Sequence, residues 1–347
     1  MKKTYPIFVI LCGLWSVHAM ARSQSAAQDK HDAAENAPAS AEGKVLAQYI
    51  GQWRWKTDET SDGAMKSRSG EQTSRWLIGG KVVEQRYKTG DGADDGVVMA
   101  SYDSDRQSYF ACYFSAEGKL TTWTGKWNPG VHQMNWEGHH AKGVVTMTER
   151  FIDPHTEEIK AVNKDNEGKT LSEWVERDTR RVGELGENRE GLSAPKKTPE
   201  KPPTAEGKVL AQYLGEWNWK GDGTSDGVAK SRTGEEKTRW LLGGKVLETR
   251  YQSSAGVDEA FVMLAFDPDQ KAYVGCTVLP DATVTTWTGQ WAADAHQMTW
   301  EGRNAKSVVK MIDRFLDSDT VEVKGVVTDN EGKTVSEWVE RDTRKHE

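Results

Sequence analysis

Few residues in this 347-residue sequence have the type and spacing to do chemistry. Glu137, Glu173 and Arg150 have the makings of an acid–base pair with a cationic neighbour. Nothing in their spacing brings them together, and carboxylates near strand ends are usually solvated. Asp58-x-x-x-Asp62-Gly63 begins like a calcium loop, but its twelfth position is Ser69 where a bidentate Glu belongs, so a surface turn is expected. Beyond the first 21 residues there is no Gly-x-Ser-x-Gly elbow, HExxH, CxxC or phosphate-binding loop. No catalytic or metal-ligating residue is therefore assigned, and an enzyme is not expected. What the chain has in excess is tryptophan, 15 against 9 Tyr and 7 Phe. Large flat rings pack cores at low entropy cost, and a few can line a cavity for a fatty, aromatic or sugar-like ligand.

These residues are laid out twice. Gly43-Lys-Val-Leu-Ala-Gln-Tyr49 recurs as Gly207 to Tyr213, an offset of 164, and the match runs without a gap to Asp178-Thr-Arg180 against Asp342-Thr-Arg344. Slightly over half the positions are identical. Tryptophans 53, 55, 76, 123, 127, 136 and 174 all recur, at 217, 219, 240, 287, 291, 300 and 338. Each copy is domain-sized, about 140 residues. The expected domains are residues 42–181 and 206–347. Residues 22–41, rich in Ala, Ser, Asp and Glu, read as a disordered tether. Residues 182–205, with Pro195, Pro199, Pro202 and Pro203 among charges, read as a flexible linker.

The first residues read as an address. Lys2 and Lys3 precede an apolar run from Tyr5 to Trp15, and Val17-His-Ala19 and Ala19-Met-Ala21 offer small-residue cleavage sites. That pattern predicts a signal peptide over 1–21 and a periplasmic or secreted protein. About a dozen apolar residues are too few to span a bilayer, and no later segment is a candidate anchor. Cys12 is a poor lipid-attachment site, because Leu11 precedes it where a small residue belongs. Lys+Arg 46 against Asp+Glu 53 leaves a net charge of -7, which excludes a phosphate-neutralising nucleic-acid binder. Cys112 and Cys276 occupy equivalent places, one per copy. Two buried free thiols are the first expectation and a disulfide between the copies the second.

Within a copy, 43–50 suggests a turn or two of helix, and the rest reads as strands: 52–57, 66–78, 81–88, 96–102, 108–115, 120–127, 132–137, 143–152, 157–163 and 170–177. Gly79-Gly80 suits a two-residue hairpin, and Asp103-Ser-Asp105, Asp153-Pro154 and Asp165 to Gly168 mark other turns. About ten hairpin-linked strands with hardly any helix predict an all-β fold: two tandem up-and-down antiparallel barrels, whose closure removes exposed edges. If Ile78 pairs with Lys81, Arg75 lies opposite Glu84 with Glu71 diagonal to Arg86, while Trp76, Ile78, Val83 and Tyr87 share the other face. The second copy repeats this with Arg239, Glu248, Glu235 and Arg250 against Trp240, Leu242, Leu247 and Tyr251. The charged face either lies outside as cross-strand ion pairs, each worth a few tenths of a kcal/mol, or turns arginines inward to an anionic head-group. The cost of burying charge favours the first.

Gly51-x-Trp53 and Gly215-x-Trp217 open the first strands, as Gly-x-Trp does in lipocalin-like barrels. The resemblance implies that this tryptophan closes the barrel floor beneath an arginine of the last strand, a place offered to Arg177 and Arg341. Each copy more closely resembles an uncharacterised bacterial lipocalin-like (calycin) domain family of unknown function. The residues that carry this are Trp76-Leu-Ile-Gly-Gly-Lys81, Tyr102-Asp103 with Tyr109, and Glu173 to Arg177, with Trp240 to Lys245, Phe266-Asp267 with Tyr273, and Glu337 to Arg341. Ser101 and Ala265 stand where that family has Gly. The resemblance implies a calycin barrel and brings no activity. Related barrels include haem binders with one axial histidine, and His132 and His296 are the only histidines placed alike in the copies. Both sit beside turns, so no cofactor is expected. The function expected is binding of a small apolar or amphipathic molecule. Trp76, Tyr87, Trp123, Trp240, Tyr251 and Trp287 are expected to line the cavities, with Arg86 and Arg250 as polar anchors. The alternative is a pair of filled barrels acting by bivalency on a protein or glycan partner.

Overall fold

A computed structural model describes residues 40–181, 204–225 and 227–346. The expected leader, all but the last two residues of the tether, and all but the last two residues of the linker lie outside them. The first barrel runs β1 (Gly51–Ser61), β2 (Ala64–Leu77), β3 (Val82–Thr89), β4 (Asp94–Asp103), β5 (Ser108–Ser115), β6 (Leu120–Asn128), β7 (Gln133–His140), β8 (Gly143–Asp153), β9 (Thr156–Asp165) and β10 (Thr170–Arg180). The second repeats it as β11 (Gly215–Ser225), β12 (Val228–Leu241), β13 (Val246–Ser253), β14 (Asp258–Asp267), β15 (Ala272–Val278), β16 (Val284–Ala292), β17 (Gln297–Arg303), β18 (Ser307–Asp317), β19 (Thr320–Asp329) and β20 (Thr334–Arg344). Every strand pairs antiparallel with its sequence neighbours, and β1 closes on β10 as β11 closes on β20. Both sheets are thus the expected closed ten-strand meanders, with no free edge.

Helix α1 (Ala41–Leu46) and helix α2 (Ala205–Leu210) plug one end of each barrel. Ser40 and Thr204 cap them by accepting the Gly43 and Gly207 N–H at 3.0 Å. The floor is closed by an arginine stacked on the first-strand tryptophan: Arg180 lies 4.2 Å from the Trp53 ring and Arg344 3.9 Å from Trp217. Arg180 also donates to the carbonyls of Gln48 and Ile50, tying the segment between the helix and β1 to the last strand. This corrects the assignment to Arg177 and Arg341. Along β10 the residues facing inward are Trp174, Glu176, Asp178 and Arg180, so Arg177 has the wrong parity and is exposed, as is Arg341.

The β2–β3 register is the expected one, with Arg75 opposite Glu84 and Trp76 opposite Val83. The turn is longer than two residues. The last pair is Leu77 with Val82, and Ile78, Gly79 and Gly80 all adopt positive φ, at 45°, 59° and 77°. A left-handed conformation is costly for β-branched Ile78, and it is held there by burial.

That burial comes from the other barrel. The outer faces of β3–β5 and β13–β15 pack together, with Val82, Val97, Met99, Phe110, Cys112 and Phe114 against Val246, Phe261, Met263, Val274, Cys276 and Val278. The contacts are reciprocal about a pseudo-twofold axis. Lys142 reaches Asp269 at 2.7 Å as Lys306 reaches Asp105 at 2.5 Å. Of the charged outer face expected to meet water, Glu84 and Glu248 are buried in the same interface, while Glu71 and Glu235 stay exposed. Glu84 binds Arg75 and Arg86, Arg86 crosses to Glu248 at 2.7 Å, and Glu248 also holds Arg239 and Arg250. Burial alone would raise the Glu84 carboxyl, but Arg86 and Arg75 outweigh it and hold it below the usual carboxylate range. The two barrels, expected to move independently on their linker, share a dry face.

Candidate functional site

The second barrel encloses a cavity of about 140 Å³. Inward positions of β11, β12, β13, β18 and β20 supply Trp219, Gly221, Glu236, Tyr251, Met311, Asp313, Trp338, Glu340 and Asp342, and Trp287 and Trp300 complete the aromatic wall. Close approach of glycine makes room for these rings. A Cβ on Gly302 would meet the Trp287 ring at 2.5 Å, and one on Gly234 would meet Trp219 at 2.4 Å. Trp287 Nε1 is fixed by Thr277 Oγ1 at 2.8 Å, and Thr238 and Thr249 share a hydroxyl bond at 2.8 Å.

The polar part of the wall is acidic. Asp313 Oδ2 accepts from the Tyr213 hydroxyl at 2.7 Å and from Trp300 Nε1 at 2.9 Å. Asp313 Oδ1, Asp342 Oδ1 and Trp219 Nε1 are buried with no hydrogen-bond partner in the protein. Burial pushes the Asp313 carboxyl up to about 6 against the two donors. Burial and the nearby Asp313 push Glu236 up to about 7, although Tyr251 bonds it. Burial and Glu236 push Glu340 up to about 8, and Asp342 is raised well above its usual value by burial and its acidic neighbours. Near neutrality the lumen therefore holds a mixture of carboxylic acids and carboxylates, able to accept from a donor-bearing or cationic group and to exchange protons with it. Arg232, on the same wall, is engaged by Glu259. Among the described residues no cluster of His, Cys, Asp and Glu has the arrangement of a metal site.

Of the cavity residues expected from sequence, Tyr251 and Trp287 line this space. Trp240 does not line it; it is buried in a cluster with Leu210, Leu247 and Leu264. Trp76 and Trp123 pack against the first-barrel core of Trp53, Val83 and Trp136, and the Tyr87 hydroxyl stands 3.5 Å from Gln85 Oε1. Arg86 and Arg250 are not lumen anchors. They alternate with the inward Tyr87 and Tyr251, and both are spent on the interface carboxylates. His132 and His296 are exposed at strand turns with positive φ, edge-on to Trp127 and Trp291. Glu137 and Glu173 line a shallow groove on the outer wall, and Arg150 is exposed. Asp58 lies in β1, accepting from Ser67 at 2.5 Å, ahead of the Asp62-Gly63 turn.

The lumen carboxylates are the group the sequence reading missed. A signal was available: in Trp338-Val-Glu340-Arg-Asp342 the acids share the parity of the tryptophan, so a strand that turns the ring inward must turn them inward too.

The family described as "Protein of unknown function (DUF1579)" matches residues 202–344, the second barrel with its leading helix. No curated protein matches the chain. Among solved structures, the chain is similar to a protein of unknown function from the DUF3598 family of Nostoc punctiforme, at 12% identity and a TM-score of 0.25, covering 88% of this chain and 100% of that one. It is also similar to an S-type phycobiliprotein lyase from Guillardia theta, at 10% identity and a TM-score of 0.31, over 42% of this chain and 99% of that one. A third, Rv2717c from M. tuberculosis, is 14% identical with a TM-score of 0.34, over 41% and 99%.

Proposed function

We propose that the protein is an exported, lipocalin-like binding protein whose second barrel holds one small amphipathic molecule, with an apolar or aromatic body and a hydrogen-bond-donating, preferably cationic, end. The observation that carries this is the pairing of an aromatic cavity with buried acceptors that no protein group satisfies, Asp313 Oδ1 and Asp342 Oδ1. A buried acceptor without a donor costs about 1–3 kcal/mol, so a ligand that supplies the donor recovers that free energy on binding. Size limits the ligand. An apolar cavity of about 150 Å³ accepts benzene, and the space here is of that order, room for one ring or a short alkyl chain. Binding rather than catalysis is the reading favoured, because what the cavity offers is a pair of buried acceptors that a ligand's donor would satisfy.

The test is titration of the protein with benzylammonium, benzyl alcohol and benzoate, followed by tryptophan emission and calorimetry at pH 5.5 and 8. Benzylammonium is expected to saturate at one per chain and to bind about tenfold tighter at pH 8, releasing protons as Asp313, Glu236 and Glu340 ionise. Benzoate is expected not to bind. Equal binding of all three probes, or of none, overturns the reading.

A further inference from the structure

The pseudo-twofold axis between the barrels passes through one pair of side chains. In an isologous contact, a residue meets its own counterpart only where the axis crosses it. Here that residue is Cys112, whose counterpart 164 positions on is Cys276, and their Sγ atoms stand 2.6 Å apart. Both are fully buried, on the outer faces of β5 and β15, ringed by Met99, Phe114, Met263 and Val278. The same axis relates Gly118, packed on the Phe266 carbonyl and Ala265, to Ala282, whose carbonyl accepts from Ser101 at 3.5 Å. The alignment of the sulfurs is thus a product of the whole interface and not of one side-chain rotamer.

We infer that Cys112 and Cys276 are a redox-active cross-link site, closed as a disulfide that locks the two barrels face to face. A bonded sulfur pair is about 2.05 Å apart, so the present separation needs only about half an ångström of closure, with the barrels already docked. The step is thiol–disulfide exchange with a disulfide donor, a small-molecule disulfide or an oxidised protein dithiol. The Cys112 thiolate attacks one donor sulfur and displaces the other. The Cys276 thiolate then attacks Cys112 Sγ, and the donor leaves reduced by two electrons, carrying the two thiol protons. Burial holds the Cys112 thiol well above its usual value once the barrels dock, so exchange takes place before docking or during opening of the interface. The leader read in residues 1–21 would deliver the chain to a compartment where such donors prevail. The interface supplies the driving force in return, since it holds the two thiols together at high effective concentration.

The test starts from the unaltered chain. Full-length mature protein is incubated with oxidised glutathione in mild denaturant, refolded by dilution, then denatured without reductant and treated with a maleimide. The expected result is an unlabelled chain two hydrogens lighter than the reduced form, with one peptide pair joining Cys112 to Cys276, and two labels per chain after reduction. Two labelled thiols before reduction, or mixed glutathione adducts on separate cysteines, overturn the inference. A Cys112→Ser chain is the control. It is expected to leave Cys276 as a single labelled thiol or glutathione adduct, and an intramolecular loss of two hydrogens in that chain would count against the assignment.

Discussion

At position 113 of the first barrel a tyrosine side chain points into the lumen; at the equivalent position 277 of the second stands a threonine. The same contrast recurs around the wall. Thr57, Gln85 and Glu149 of the first barrel are answered by Gly221, Thr249 and Asp313 in the second, each a smaller side chain on the cavity wall. Gly96 completes the difference. A Cβ there would lie 2.3 Å from the Tyr113 ring, and the second barrel, without that ring, has Ala260. Two copies of one fold have thus diverged from the inside. The shell, register and floor are common to both, whereas the lumen wall differs at several positions, Tyr113 against Thr277 being the largest change in side-chain volume. Acid content is held while its position moves. The first barrel has Glu149, Glu157, Glu176 and Asp178 facing inward, and the second trades Glu157 for Val321 and gains Glu236 in place of Gln72.

The largest effect follows from undoing the bulkier side of this comparison. Tyr113→Thr removes a buried ring from the first barrel and should lower stability by about 3 kcal/mol, the cost of a large-to-small core change. It should also open a second site, raising benzylammonium stoichiometry from one to two per chain. Thermal unfolding and calorimetric titration check the two parts separately. An unchanged stability would mean that the Tyr113 ring is not part of the packing.

The shell of this comparison was legible in the sequence and its contents largely were not. Strand parity, turn residues and the 164-residue repeat are local signals, and they located all ten strands of each copy and the Arg75–Glu84 pairing. The polar hairpin from Asp58 to Met65 is not legible as strand, because an exposed strand carries no apolar alternation. For the arginine over Trp53 the motif resemblance points three residues early, to Arg177, because it ignores strand parity. The dry face between the barrels escaped because its residues alternate as any outward row does. Val82, Glu84 and Arg86 look like solvated strand, and only a partner makes them buried. Lumen volume is a sum over many walls, and no single residue of Gly221, Thr249, Thr277 and Asp313 announces it.

Next in size is a pH effect that both barrels should share. A buried carboxyl raised above its unfolded value holds its proton more tightly when folded. Its contribution is complete below about pH 4 and is lost as pH rises through the folded value. For Glu149 that value is about 7, and for Asp313, Glu236 and Glu340 about 6, 7 and 8. Stability should therefore fall between pH 5 and pH 8.5. Scanning calorimetry at these values tests the sign. Saturating benzylammonium should restore the loss in the second barrel alone, which separates the two barrels by ligand. A rise in stability with pH would mean that the lumen acids are ionised and paired.

A smaller effect comes from filling the second lumen in the manner of the first. Thr277→Tyr alone should clash with the Ala260 Cβ, as the Gly96 geometry implies, and cost about 1–3 kcal/mol. Adding Ala260→Gly should recover about 1 kcal/mol or more, a coupling that neither change shows alone. Both variants should lose the tryptophan response to benzylammonium. Additive effects in the cycle would show that residues 260 and 277 do not share one space.

The smallest change returns a single hydroxyl. Thr57 of the first barrel donates to Glu176, whereas its counterpart Gly221 offers Glu340 nothing, and Glu340 is the acid raised furthest among those with a stated value, to about 8. A Cβ at Gly221 would meet Glu340 Oε2 at 3.4 Å, ordinary contact, and its backbone is not left-handed, so Gly221→Thr should fold without strain. A hydroxyl donor favours the ionised form, which should bring Glu340 down from about 8. The net stability change should stay under about 1 kcal/mol, the worth of one hydrogen bond. Carboxyl carbon shifts followed through the titration would report it. Because the ionised form is the one that holds a cation, benzylammonium should bind more tightly near pH 7 even though the cavity has shrunk by a side chain. Weaker binding at every pH would mean that volume, and not charge, limits the second barrel.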